Sequence, residues 1–251
     1  MKAIILAAGE GTRLKKYTKD LPKGMLYYNE KSLIEHQIDL LRSNGVDDII
    51  VVRGFKEEKI DFEGITYFTN KIWNSTNMVE SLMCAESVLN EDCIITYADI
   101  VYTDELLRSV LKSNNDFNIA IDVDWKNYWQ IRYDKIDFDT ESLKLDGDNN
   151  IISLGIADPP LEEIDGRYVG LMKFSHAGME IIKDIYKEVK DKFWDVPWQQ
   201  SQKPFRQAYM TDLIQELIDR KHIVSSVIVK GGWMEFDTNE DYEKQKDLTI
   251  V

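Results

Sequence analysis

Short apolar runs alternate with amphipathic stretches through the first half of the chain. Ala3-Ile4-Ile5-Leu6 reads as a buried strand near residues 2 to 7. Leu33, Ile34, Ile38 and Leu41 share one face of a helix near 31 to 43, which Asn44-Gly45 stops. Asp48 to Val52 reads as a strand, 65 to 69 as a short one, and Met78 to Leu89 as a helix. Ile94 to Tyr97 is a further buried strand, Glu105 to Leu111 a helix, and Asn118 to Val123 a strand. This βαβ rhythm predicts an α/β fold: a mostly parallel mixed sheet with helices on both faces.

The second half changes character. Tyr133 to Gly155 carries charges, short strands and the turn Asp146-Gly147-Asp148-Asn149, and Asp158-Pro159-Pro160 breaks the chain. Tyr168 to Phe174 resumes a strand, Ala177 to Lys190 a helix, and an aromatic loop follows with Trp194, Pro197 and Trp198. Thr211 to Lys221 is an amphipathic helix and Val224 to Val229 a strand, and Asn239 is placed to cap a last helix with Tyr242 facing inward. No internal repeat is visible, and no hexapeptide tail follows.

At 251 residues and 43% apolar, the chain suits one large domain. Its net charge of −14 argues against nucleic acid and anionic membranes as partners. The cluster Arg13, Lys15, Lys16, Lys19 and Lys23 stands out against that charge as a polyphosphate site. Cys84 and Cys93 form no C-x-x-C pair, so neither zinc nor a redox pair is expected. No apolar stretch nears the ~20 residues of a membrane span. The N-terminus does not read as a secretory signal, so a cytoplasmic location is expected.

The strongest chemical signal closes the first apolar run. Gly9 and Gly11 follow Leu6 and Ala8 at once, and then come Thr12 and Arg13. Glycine lets the backbone approach a ligand, and successive loop N–H groups form an anion-binding concavity. Arg13 adds a rigid fork of donors. Two familiar phosphate loops fail on named residues. No G-x-x-x-x-G-K-[ST] run exists, and a dinucleotide fingerprint needs a glycine where Leu14 stands and an acid where Ile49-Ile50-Val51-Val52 ends in Arg53.

LAAGEGTRL (6 to 14) followed by Leu21-Pro22-Lys23-Gly24-Met25 resembles the signature of the sugar-phosphate and alcohol-phosphate nucleotidyltransferases. The stretches NMVESL (77 to 82), YADIVY (97 to 102), ESLKLD (141 to 146), GRYVGLMKF (166 to 174) and GGWMEFDT (231 to 238) resemble the branch of small bacterial cytidylyltransferases that activate phosphocholine and related phosphates. The resemblance implies a Rossmann-like fold of the GT-A kind, with 1–123 and 206–251 forming a nucleotide-binding core and 124–205 an acceptor-binding part. It implies CTP and a small amine-bearing phosphate as substrates, phosphoglutamine ahead of phosphocholine. It also implies a place in capsule or surface-polysaccharide biosynthesis, and leaves a homodimer open.

Joining a nucleotidyl group to a phosphate brings two anions together, so the site needs cations against the triphosphate. The resemblance assigns the metal, Mg2+, to Asp99 and Asp237. Asp99 follows a buried strand, at the sheet edge where open α/β sheets bind ligands. Alternation puts Glu235 on the same face as Asp237, and the family pattern selects Asp237. Arg13 and Lys23 are the expected catalytic cations, on the departing pyrophosphate and on phosphate. Leu6, Ala8, Gly9, Glu10, Gly11 and Thr12 are expected along the nucleotide, with Gly54, Thr76, Asn77 and Ser81 near base and ribose.

For the acceptor, Asp122, Asp124, Trp125, Tyr128 and Trp129 mix acids with aromatics, a combination that holds an ammonium by charge and cation–π attraction. Tyr168 and Gly170 are expected in the same cleft, and Arg132, Arg167 and Arg206 are the candidate partners for a carboxylate. No general base is required, because a phosphate dianion is already nucleophilic, so His36, His176 and His222 are read as ordinary residues. Two other functions stay open: a sugar-1-phosphate nucleotidyltransferase using UTP, dTTP or GTP, and a silent nucleotide-binding regulatory subunit.

Overall fold

The computed structural model describes residues 1–250. Seven strands form the central sheet: β1 (Lys2–Ala7), β2 (Asp48–Arg53), β3 (Thr66–Thr69), β4 (Cys93–Tyr97), β5 (Phe117–Asp122), β6 (Arg167–Phe174) and β7 (Ser225–Val229). Their order is β7-β5-β6-β4-β1-β2-β3. β6 runs antiparallel to β4 and β5, and the other pairings are parallel.

Alternation along β1 splits the core into two layers. Ile4 and Leu6 join one cluster with Leu82, Met179, Ile182 and Leu213 from helices on that face. Ala3, Ile5 and Ala7 join the other with Ile34, Ile38, Leu41 and Leu107. The chain leaves β1 for β2 and β3 on one side and returns to β4 on the other. The crevice beyond the carboxyl ends of β1 and β4 is therefore a topological switch point, where such sheets bind ligands.

Three local expectations change. The helix expected over 78 to 89 ends at Met83, followed by a turn at Glu86–Val88; nothing local in the sequence accounts for the break. The last helix, Asn239–Gln245, is capped by Thr238 and not by Asn239. The Thr238 hydroxyl accepts from Asp241 N–H at 3.0 Å while the Asp241 carboxylate accepts from Thr238 N–H at 3.1 Å, a reciprocal capping box. Finally, Trp125–Tyr133 is a helix. Trp125, Tyr128, Trp129 and Arg132 stand at helical spacing on its inner face, and Trp125 and Trp129 are each 1% exposed.

Candidate active site

Two sharp backbone features shape the loop after β1. Gly11 has φ +70°, the left-handed region that a side chain disfavours, and a Cβ there would lie 3.0 Å from the Lys23 Cβ. Pro22 introduces a single turn over Lys23–Met25, closed by Met25 N–H to the Pro22 carbonyl at 2.9 Å. Gly24 sits so close to Ile34 and Ala98 that a Cβ would fall within 2.9 Å of both. The turn is thus pressed against the sheet edge, and Lys23 crosses beneath the glycine loop.

Lys23 Nζ donates to Asp99 at 2.5 Å and to Asp237 at 2.6 Å. Asp99 follows β4 directly. Asp237 arrives from far along the chain because the short strand Trp233–Glu235 pairs antiparallel with Ile100–Tyr102, opposing Glu235 to Ile100. Phe236 N–H then donates to the Asp99 carbonyl at 3.0 Å. Arg13, exposed on the rim, forms ion pairs with Asp237 and with Asp139.

Asp99, Glu235 and Asp237 each offer an oxygen within 4.8 Å of the others. Asp99 Oδ1 is buried and, among the described residues, has no hydrogen-bond partner. An all-oxygen set with one unsatisfied carboxylate oxygen suits a hard divalent cation, so these residues fit magnesium. Burial works against the charged ammonium of Lys23, but Asp99 and Asp237 outweigh it and hold its pKa above the ordinary range. Burial likewise opposes ionisation of Glu235, yet Arg132 and Lys23 pull its pKa down. Burial leaves the Asp237 carboxyl raised despite Lys23.

Arg132 explains how the acids are held. It is 1% exposed and pairs with Glu235 at 2.7 Å and Asp241 at 2.8 Å. Tyr128 OH accepts from Glu235 N–H at 2.7 Å. Both side chains are buttresses, a role the sequence reading missed.

On the other wall, Leu6, Ala8, Gly9, Thr76, Asn77 and Ser81 line the crevice together with Trp73. Glu10 and Thr12 lie on its outer rim beside Arg13. Asn70, 1% exposed, organises the wall by donating to Thr76 at 2.9 Å and Ser81 at 3.0 Å. Asn77 caps the helix Met78–Met83, accepting from Met78 N–H at 2.9 Å. Gly54 abuts the loop itself, since a Cβ would lie 2.6 Å from the Ala8 carbonyl oxygen and 2.8 Å from Trp73. Neither Trp73 nor Asn70 was expected, for they sit outside every motif.

The expected acceptor cage does not form. Asp122 is fully buried and accepts from Trp233 Nε1–H at 2.9 Å, and from Asp124 N–H at 2.8 Å. Asp124 is exposed at the start of the helix that buries Trp125 and Trp129. Trp125 and Trp129 are core, with Tyr128 packed against it, because their helix turns its aromatic face into the protein. Gly170 (φ +87°) lies under the Tyr97 ring, where a Cβ would come within 2.8 Å, so it serves packing. Tyr168 remains beside the crevice and donates from its hydroxyl to that of Tyr97 at 3.0 Å.

Residues 3–135 match the MobA-like NTP transferase domain family. A CTP:phosphoglutamine cytidylyltransferase of Campylobacter jejuni is 34% identical over 98% of this chain and 99% of that protein. A choline-phosphate cytidylyltransferase of Streptococcus pneumoniae is 29% identical over 99% of this chain and 98% of that one. Among solved structures, a CTP:phosphocholine cytidylyltransferase from Streptococcus pneumoniae superposes with TM-score 0.73 at 23% identity, covering 98% of this chain and 97% of that chain.

Proposed function

The chain belongs to the MobA-like NTP transferase family and is a nucleotidyltransferase; on that premise we propose that it is a magnesium-dependent cytidylyltransferase, joining CTP to a small amine-bearing phosphate with release of pyrophosphate. The observation that carries the mechanism is the meeting of Asp99, Glu235 and Asp237 with Lys23 and Arg13 at the switch-point crevice. The choice of CTP, and of phosphoglutamine ahead of phosphocholine, rests on similarity to the Campylobacter and Streptococcus enzymes.

In this reading the N–H groups of the Gly9–Thr12 loop face the triphosphate, and Thr76, Asn77 and Ser81 face base and ribose. Asp99 and Asp237, with Glu235 beside them, would hold a magnesium ion, which when bound would supply positive charge to the triphosphate. Lys23 donates hydrogen bonds to phosphate oxygens as a compact point charge. An oxygen of the acceptor phosphate attacks the α-phosphorus, the bond from that phosphorus to the bridging oxygen breaks, and Arg13 pairs with the departing pyrophosphate. Residues 124–205 supply much of the acceptor side. No proton need be removed from a phosphate dianion.

Pyrophosphate release with CTP, UTP, GTP and dTTP, each against phosphocholine, N-phosphoglutamine and glucose 1-phosphate, tests the reading. The expected outcome is a preference for CTP of at least tenfold with an amine-bearing acceptor, and no turnover after chelation. Equal rates with UTP or dTTP on a sugar phosphate would make this a sugar-1-phosphate nucleotidyltransferase.

A further inference from the structure

We propose that Arg167 and Glu141 form the specificity site for the acceptor, and that it reads a zwitterion: Arg167 takes an α-carboxylate and Glu141 the neighbouring ammonium. The inference rests on the cytidylyltransferase reading of the adjoining crevice.

Three arginines are available to an acidic acceptor, and the structure separates them. Arg132 is enclosed by Glu235 and Asp241. Arg206 pairs with Asp195 and donates to the Ser75 carbonyl at 2.7 Å, which holds the nucleotide wall. Of these three, Arg167 is the one whose buried donors, Nε and Nη1, have no partners among the described residues. Its one polar contact is a long 3.4 Å bond from Nη2 to the Asp139 carbonyl. The guanidinium lies 4.2 Å from the Trp129 ring centroid, which fixes its plane and leaves its edge free. Two buried N–H groups without acceptors are costly unless a ligand meets them.

Glu141 completes the argument. Its Oε1 accepts from Thr211 Oγ1–H at 3.0 Å, and among the described residues it forms no ion pair. Its charge nevertheless acts on Arg167, and also on Tyr97 and Tyr168. Glu141 stands two residues beyond Asp139, whose carbonyl meets the Arg167 guanidinium, and among the described residues the anion and the cation form no ion pair. Tyr168, next to Arg167 on β6, donates from its hydroxyl at 3.0 Å to that of Tyr97, which stands two residues before Asp99. The Asp139 carbonyl that Arg167 reaches belongs to the residue whose carboxylate pairs with Arg13, and Arg13 pairs with Asp237, so polar contacts link Arg167 to the acid cluster. The bulge in β6 between Tyr168 and Met172, where Gly170 sits, orients this stretch. Choline phosphate satisfies only Glu141; an ω-phosphorylated amino acid satisfies both groups.

Calorimetric binding in the presence of α,β-methylene CTP, which cannot react, isolates the site. Phosphoserine and phosphohomoserine are compared with phosphoethanolamine and 3-aminopropyl phosphate, which lack only the carboxylate. The wild-type protein is expected to prefer the amino acids by about tenfold or more, from charged hydrogen bonds. Arg167→Gln should erase that preference, and Arg167→Lys, which keeps the charge but loses the fork, should retain part of it. Glu141→Gln should weaken all four ligands. A wild-type protein indifferent to the carboxylate, or a preference that survives Arg167→Gln, overturns the proposal. Binding preference without pyrophosphate release from CTP would leave this site standing and overturn the cytidylyltransferase reading instead.

Discussion

Replacing Asp99 by asparagine removes one charge and almost no volume, and the geometry fixes what should follow. At an effective dielectric of about 20, Lys23 at 2.5 Å attracts Asp99 by about 7 kcal/mol. Glu235 and Asp237, each within 4.8 Å, repel it by about 3 to 4 kcal/mol apiece or more. The terms nearly cancel, so Asp99→Asn should change the unfolding free energy of the metal-free protein by less than about 1 kcal/mol. The catalytic effect has no such offset. Losing one of the carboxylates that fit the metal should lower turnover by more than ~100-fold, about 2.7 kcal/mol of barrier.

Urea unfolding in chelator, pyrophosphate release at saturating CTP, and calorimetric titration of magnesium with CTP present measure the three quantities. Unfolding destabilised by about 3 kcal/mol with a proportionate loss of activity would make Asp99 a structural partner of Lys23. Near-normal turnover would remove Asp99 from the mechanism altogether.

Other expectations follow from the same geometry. Trp129→Ala should cost about 3 to 5 kcal/mol of stability, because the ring is core; normal unfolding with a raised acceptor KM would restore it to a binding role. Gly11→Ala places a Cβ 3.0 Å from Lys23 in a strained backbone, so turnover should fall by about tenfold with a loss of about 1 kcal/mol in stability; unchanged turnover would show that the loop does not set the lysine. Burial raises the pKa of Glu141 above its ordinary value. The folded protein therefore binds its proton more tightly than the unfolded chain, and stability is lost as pH rises through the folded pKa. Glu141→Gln should be more stable than wild type at pH 7.5 and lose that advantage toward pH 4, followed by thermal unfolding across pH; a constant difference would contradict the assignment.

The sheet, and the approach of Lys23 to the glycine loop, were legible because each depends on local signals. Apolar runs set the strands, and the glycine loop, Pro22 and Lys23 carry their chemistry within a few residues of one another. In the aromatic segment composition suggests a pocket while periodicity dictates burial. Trp125, Tyr128, Trp129 and Arg132 follow helical spacing, so their shared face turns inward, whatever chemistry the rings suggest. Asn70 and Trp73 were invisible because their roles depend on where the loop folds back, which no window of sequence records.

The same distinction explains why Arg132 and Arg167, alike on paper, do opposite work. Arg132 projects from a helix into the carboxylates of Glu235 and Asp241, the second of which accepts from Asp237 N–H, so its charge is consumed in holding the acid cluster in place. Arg167 opens β6 beside a bulge, stacked on Trp129 but short of partners. The buried Trp129 ring is the surface on which the Arg167 guanidinium stacks, 4.2 Å from its centroid. A rigid apolar support beneath an unsatisfied charged group holds it in register for an incoming ion. If Arg167 reads the acceptor as proposed, swapping Trp129 for leucine should loosen the guanidinium and blunt carboxylate discrimination before it affects CTP.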